Sequence, residues 1–411
     1  MAEPFEIPSI SAEERQRLVS QLQDVSWPDQ LEDVKDWSYG APRWAVEPMA
    51  KAWVEFDWEK TRAELNKWHH YHVNVDGLRL HCIHETSKDQ DAIPIMLLHG
   101  WPSSFYEFHK VIDALRDGRD AKQAFHVVVP SLPGYGFSEA PKTSGFGIMR
   151  MGDILDKLMK ALGYSSYVAQ GTDWGSAITH WLAVNRPASC RAAHTNMPMA
   201  LPPIPTPGNL ISQPWRTFKF CAALALGLKA VYGDQVKIFD SFANAEKDRE
   251  SGYRAIQGTR PYTLAYGLNN NALGLMAWIL EKFHNWTDHG ASDKDTSVLP
   301  PSISQEEFLS QITIYWITKS VGSSIRLYYE ALHLSDMKDI VTAKTTIPMG
   351  ASIFPCELGK PPLEWIESSH PHLVQYKEHE AGGHFAALEV PDLWLSDVQR
   401  FGATVKKNVV S

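Results

Sequence analysis

The stretch SSYVAQGTDWGSAITHWLAVN at 165–185 constrains the fold more than any other part of the chain. A short apolar run ends at Gly171, and a helical segment begins within a few residues of it. A strand that turns this sharply into a helix needs small residues on both sides of the turn, because the two elements nearly touch. Gly171 and Gly175 supply them, and the side chain between them, Asp173, is lifted above the carboxyl edge of a sheet. The pattern therefore predicts a layered strand-and-helix architecture before any other segment is considered.

The neighbouring segments repeat the alternation. IPIMLLHG (93–100) is a continuous apolar run followed by helical FYEFHKVIDAL, and FHVVVPSLPGYG is a second, followed by helical MRMGDILDKLMKAL. Strands that alternate with amphipathic helices predict a mostly parallel sheet covered on both faces. Ahead of them HVNVDGLRLHCIHE alternates around Asp76-Gly77, a hairpin signal that places antiparallel strands at one sheet edge. From about residue 199 the rhythm breaks into proline-rich and then helical, aromatic-rich sequence, and it resumes at TTIPMGASIFP. The chain thus divides into an N-terminal helical meander (1–75), a first part of an α/β core (76–198), an inserted helical cap (199–335) and a second part of the core (336–411).

Composition narrows the partner. A formal net charge of −9 is spread without blocks of one sign, which argues against nucleic acid and against an anionic membrane surface. The start MAEPFEIPSISAEERQRL has neither the basic end nor the apolar run of a signal peptide, and no apolar stretch reaches membrane-spanning length. Cys82, Cys190, Cys221 and Cys356 form no metal or redox spacing, as suits a reducing compartment. A cytoplasmic chain with a small-molecule partner is expected. His69, His70 and His72 match no metal-ligand spacing, and no metal site is expected there.

An aspartate at the elbow selects the chemistry. Serine there suits acyl transfer, since its attack on a saturated carbon would leave an ether that water does not readily cleave. A carboxylate instead displaces a leaving group from such a carbon and leaves an ester, which activated water hydrolyses. That second step needs a base and a residue to orient it, and in elbow architectures the chain order is nucleophile, acid, histidine. Glu357, at the end of the strand IPMGASIFP, and His384, after the turn HEAGG, fit that order; Asp336 and Asp339 lie at the wrong strand end. Two backbone N–H groups, of Trp174 after the nucleophile and Trp101 in HGWP, are placed to receive the oxyanion.

With these pieces assembled, the chain resembles the microsomal-type epoxide hydrolases of the α/β-hydrolase superfamily. The resemblance runs almost end to end and is most specific in GTDWGS, SGYRAIQGTRPYTLAYGLNNNALGLMAWILEKF, FPCELGKPPLEW and GGHFAALEVP. It implies Asp173 as nucleophile, Glu357 and His384 as the water-activating pair, and two cap tyrosines, Tyr253 and Tyr328, as donors to the epoxide oxygen. Tyr328 matches the family spacing better than Tyr329. No cofactor is implied, and a homodimer is suggested by the family and by the N-terminal meander. Position 172 is threonine where glycine is common in the family. A haloalkane dehalogenase shares the aspartate-tryptophan pair but usually has asparagine or glutamate at the position of Trp101, and it lacks the paired tyrosines. A non-catalytic, ligand-binding homologue is expected to have lost one of Asp173, Glu357 or His384, and all three stand. Fifteen tryptophans and sixteen phenylalanines lead us to expect an aromatic-lined tunnel for lipophilic or aryl epoxides.

Overall fold

The structure, a computed structural model, describes residues 2–118, 122–236 and 250–410. Its described strands are β1 (Ala2–Phe5), β2 (His70–Val75), β3 (Leu78–Glu85), β4 (Ile93–Leu98), β5 (Phe125–Pro130), β6 (Tyr167–Gly171), β7 (Cys190–Thr195), β8 (Met349–Ile353) and β9 (Leu373–Glu378). They form one sheet in the order β1-β2-β3-β5-β4-β6-β7-β8-β9. From β5 to β9 every neighbour is parallel, and β1, β2 and β3 add an antiparallel edge. This is the α/β-hydrolase fold read from the sequence.

Local chemistry accounts for the elements. Asp76 and Gly77 both adopt positive φ (51° and 81°), as a two-residue turn requires for strands of right-handed twist, and the Asn74 side chain accepts the Gly77 N–H. In the central strands successive side chains enter opposite cores. Ile93, Ile95 and Leu97 of β4 join one apolar cluster, and Met96 and Leu98 join the other. Each such fully buried side chain contributes about 1.5–3 kcal/mol, so burial on both faces fixes β4 and β5 at the sheet's centre.

The segment 1–75 does more than cover the core. β1 and β2 belong to the sheet, with Ala2 opposite Val73 and Phe5 opposite His70. A four-residue strand containing Pro4 is too short to show a period, which is why it reads as irregular in sequence. The following aromatic-rich region is two helices, Arg43–Glu55 and Trp58–Leu65, and Asp57 separates them by accepting the Lys60 N–H. FYEFHKVIDAL, expected as one helix, is a 3₁₀ turn at Phe105–Phe108 and a short helix at Ile112–Asp117. The turn is capped by Ser104, whose hydroxyl accepts the Tyr106 N–H.

Among its described residues, 199–335 holds helices and no strand. The meander is tied to it: the Trp53 indole N–H donates to Thr313 Oγ1 (2.9 Å), and Gln21 bonds both Asn270 O (2.8 Å) and the Ala272 N–H (2.9 Å). No helix among the described residues is long and apolar enough to cross a membrane.

Candidate active site

The sheet topology brings four loops together. β4 lies beside β6, so the loop carrying Trp101 meets the turn carrying Asp173 at the carboxyl ends of adjacent strands. The loops after β8 and β9 bring Glu357 and His384, and a short parallel bridge between Cys356 and Gly383 keeps them together.

At the elbow, Asp173 has φ 46°, a left-handed conformation that costs a non-glycine residue about 1–2 kcal/mol. Contacts on both sides hold it there. A Cβ on Gly171 would stand 2.2 Å from Gly175 O, and one on Gly175 would stand 2.1 Å from Leu98 O. Both glycines are therefore required by the approach of helix Asp173–Asn185 to β6 and β4. Thr172 has an ordinary extended φ of −117°, and its N–H donates to Leu98 O (2.9 Å), so threonine is accommodated without backbone strain.

The Asp173 carboxylate is gripped at one oxygen and faced by imidazole at the other. Trp101 N–H donates to Oδ1 at 2.7 Å, and a Cβ on Gly100 would lie 2.0 Å from that same atom. His384 Nε2 stands 3.4 Å from Oδ2, a near approach without good hydrogen-bond geometry. On its far side, His384 Nδ1–H donates to Glu357 Oε1 at 2.6 Å, and that oxygen also accepts the Leu358 N–H at 2.7 Å. Burial opposes the imidazolium, but the Glu357 and Asp173 carboxylates outweigh it and hold the His384 pKa well above the ordinary value. Trp174 occupies the first turn of its helix, where backbone N–H groups lack an intrahelical acceptor.

The cap supplies a roof of phenols. Tyr253 stacks on Trp101 (5.4 Å, 13°), and Tyr328 meets Trp174 edge-on (4.8 Å, 86°); the two tyrosine rings are 5.7 Å apart. Both are buried, whereas Tyr329 is 38% exposed. Burial, then the charge of Asp173, raises the Tyr253 pKa; burial, then Tyr253 and Asp173, raises that of Tyr328. Both phenols stay protonated and able to donate. Asp336 is engaged elsewhere, accepting the Met149 N–H (3.1 Å).

Asp173, Trp174, Tyr253 and Tyr328 open on a cavity of about 330 Å³. Its remaining wall corrects the expectation of an aromatic tunnel: Met197, Met199, Leu201, Met337, Val341 and Leu358 make it largely aliphatic. The large aromatics lie elsewhere, with Trp53, Trp316, Trp365 and Trp394 fully buried in packing.

Two buried carboxyls near His384 escape a sequence reading. Burial pushes Glu107 up to about 7, and it feels both His384 and Asp173. Glu389 is likewise pushed up to about 7 by burial while accepting the N–H groups of Asp288 and Phe385. The available signal was a lone glutamate in apolar SSFYEF and AALEVP. Of the histidines considered for a metal, His69 bonds Glu85 (2.7 Å), His70 bonds His81 (2.9 Å) and His72 bonds Phe137 O (3.1 Å).

Known proteins share this fold and much of this sequence. The family described as epoxide hydrolase N terminus matches residues 2–108, and the alpha/beta hydrolase fold family matches 93–220. Epoxide hydrolase 1 of Sus scrofa is 34% identical over 408 residues, covering 97% of this chain and 88% of that protein. That of Oryctolagus cuniculus is 35% identical over 362 residues, covering 86% and 78%. Among solved structures, juvenile hormone epoxide hydrolase from Bombyx mori superposes with a TM-score of 0.85 (28% identity; 99% of this chain, 95% of that one). Aspergillus niger epoxide hydrolase gives 0.80 (30% identity; 98% and 97%). The chain belongs to the microsomal-type epoxide hydrolases, built on the α/β-hydrolase fold.

Proposed function

We propose that this epoxide hydrolase converts lipophilic epoxides to vicinal diols through an ester on Asp173. The observation that carries the reading is the Asp173 carboxylate, fixed at a strained turn between the Trp101 N–H and His384 and roofed by two buried phenols. Tyr253 and Tyr328 hold the epoxide oxygen while Asp173 attacks a ring carbon from the opposite side. As the ring opens, one phenol passes its proton to the forming alkoxide.

Esterification then changes the base. While Asp173 is charged, it helps keep His384 protonated. Once that charge is lost in the ester, Glu357 alone remains of the two carboxylates that hold the His384 pKa up, against full burial. The imidazolium then gives up its proton, which restores the phenol that opened the ring, and the neutral imidazole takes one from water. That water attacks the carboxyl carbon, and the Trp101 and Trp174 N–H groups receive the oxyanion; its collapse breaks the ester C–O bond, the diol oxygen leaves with the proton from His384, and the Asp173 carboxyl returns one to the imidazole. Glu357 holds the ring throughout. The aliphatic wall of the cavity supports a lipophilic substrate, with room for an aryl group.

A single turnover in heavy-oxygen water tests the ester. The label is expected in the Asp173 carboxylate and absent from the first diol formed, whose new oxygen comes from the enzyme. Label in that first diol with an unlabelled Asp173 would mean direct attack by water and would end the covalent reading.

A further inference from the structure

The loop that carries His384 is fastened to the cap by a closed set of hydrogen bonds. His384 N–H donates to Trp286 O at 2.9 Å, and Gly382 N–H donates to Asp288 Oδ2 at 2.8 Å. In return Asp288 N–H donates to Glu389 Oε2 at 2.8 Å, while Glu389 Oε1 accepts the Phe385 N–H at 3.0 Å. Two carboxylates, one on the cap side and one on the core side, thus hold the residues on either side of the base and the cap segment Trp286–Asp288 that faces them.

The fit admits no slack. A Cβ on Gly383 would come within 2.6 Å of Trp286 O and 2.9 Å of Glu389 Oε1. The Trp286 ring packs on His384 (5.1 Å) and on Tyr253 (5.2 Å), so the same cap residue touches the base and one oxygen-binding phenol. Within the core the loop is held by the Cys356 bridge, by the Glu357 bond at the imidazole and by Glu389 at the Phe385 N–H.

We propose that Asp288 and Glu389 are positioning residues for the base: they register the His384 loop against the cap and thereby set the imidazole over the ester. The inference rests on the two-step reading, and it assigns these residues to the second step alone. Asp173 is held by the elbow and by Trp101, which neither carboxylate touches. Formation of the ester should therefore proceed without them, and its hydrolysis should not.

The test is rapid-quench mass spectrometry of the intact chain with styrene oxide, which counts the ester as it forms and decays. In Asp288→Ala and Glu389→Gln, ester formation is expected within about twofold of the parent and hydrolysis slower by about tenfold to a hundredfold, as loss of alignment produces. The adduct then accumulates. Asp288→Asn keeps one oxygen for Gly382 and is expected to restore most of the hydrolytic rate. Should Glu389→Gln fail to fold, the half-buried Asp288 carries the test. Unchanged hydrolysis, or equal slowing of both steps, would overturn the inference. No adduct in the parent, under conditions where diol forms, would instead overturn the covalent reading on which it stands.

Discussion

The turn that carries Asp173 and the loop that carries His384 face each other across 3.4 Å and are built in opposite ways. The turn is held by its immediate neighbours: two glycines, the strand before, the helix after and β4 alongside. The loop is held from a distance, by Asp288 and Trp286 of an insertion that precedes it by 94 residues or more. Asp173, the proposed nucleophile, is thus placed by the sheet, while the loop of His384, the proposed base, is hydrogen-bonded to the segment Trp286–Asp288.

Removing the nucleophile has the largest expected effect. Asp173→Ala should abolish the adduct and lower turnover by about 10⁴-fold or more, since members of a catalytic unit act together; diol formation near the parent rate would show that the turn is not where the reaction begins. A matched pair of glycine substitutions sharpens the contrast. Gly175→Ala drives a methyl into Leu98 O and should slow ester formation about a hundredfold, with a lower melting temperature. Gly383→Ala drives one into Trp286 O and should spare ester formation while slowing hydrolysis about tenfold. If both variants lost the same step, the two regions would not be independent.

Acid titration separates His384 from the other buried histidines. Burial holds His99, His180 and His194 down to about 4, so below about pH 6.5 the unfolded chain binds protons that the folded chain refuses. Each should remove about 1.4 kcal/mol of stability per pH unit between 6.5 and 4. His384 has the opposite sign: its raised pKa favours the fold below pH 6.5 and loses that contribution as pH rises through the folded value. Urea midpoints for the parent and His384→Gln should keep a constant separation between pH 4 and 6.5 and converge above pH 6.5 as the contribution is lost, and a separation unchanged above pH 6.5 would contradict the assignment. The smallest effect is expected of Thr172→Gly, whose backbone is already relaxed. It should lower stability by about 1 kcal/mol through chain entropy, measured by urea unfolding, and leave the rate within about twofold.

The same division governs what the sequence disclosed. The elbow was legible because strand, glycine pair and helix are contiguous, and one contact that imposes their spacing, Gly171 against Gly175 O, is local in sequence. Glu357 and His384 were legible by chain order, each at the end of a resumed strand. Asp288 and Glu389 were not, since a carboxylate that accepts backbone N–H groups across 94 and 101 residues leaves no local period. Strand β1 escaped for the related reason that only its register with β2 reveals it. The aromatic count misled about the cavity because composition does not say which side of a helix or strand a residue takes; packing claimed most of the large rings.

The methionine-rich wall has a stereochemical consequence. Met197, Met199 and Met337 are unbranched and rotatable, so they reshape around either mirror image of a chiral epoxide at little cost. The opposite side, Asp173 under the two phenols, is rigid and directional. On the proposed mechanism, handedness in the diol follows from which ring carbon the fixed side can reach in line. Substitutions that stiffen the methionine side, such as Met337→Ile, are the ones that should widen the gap between enantiomers.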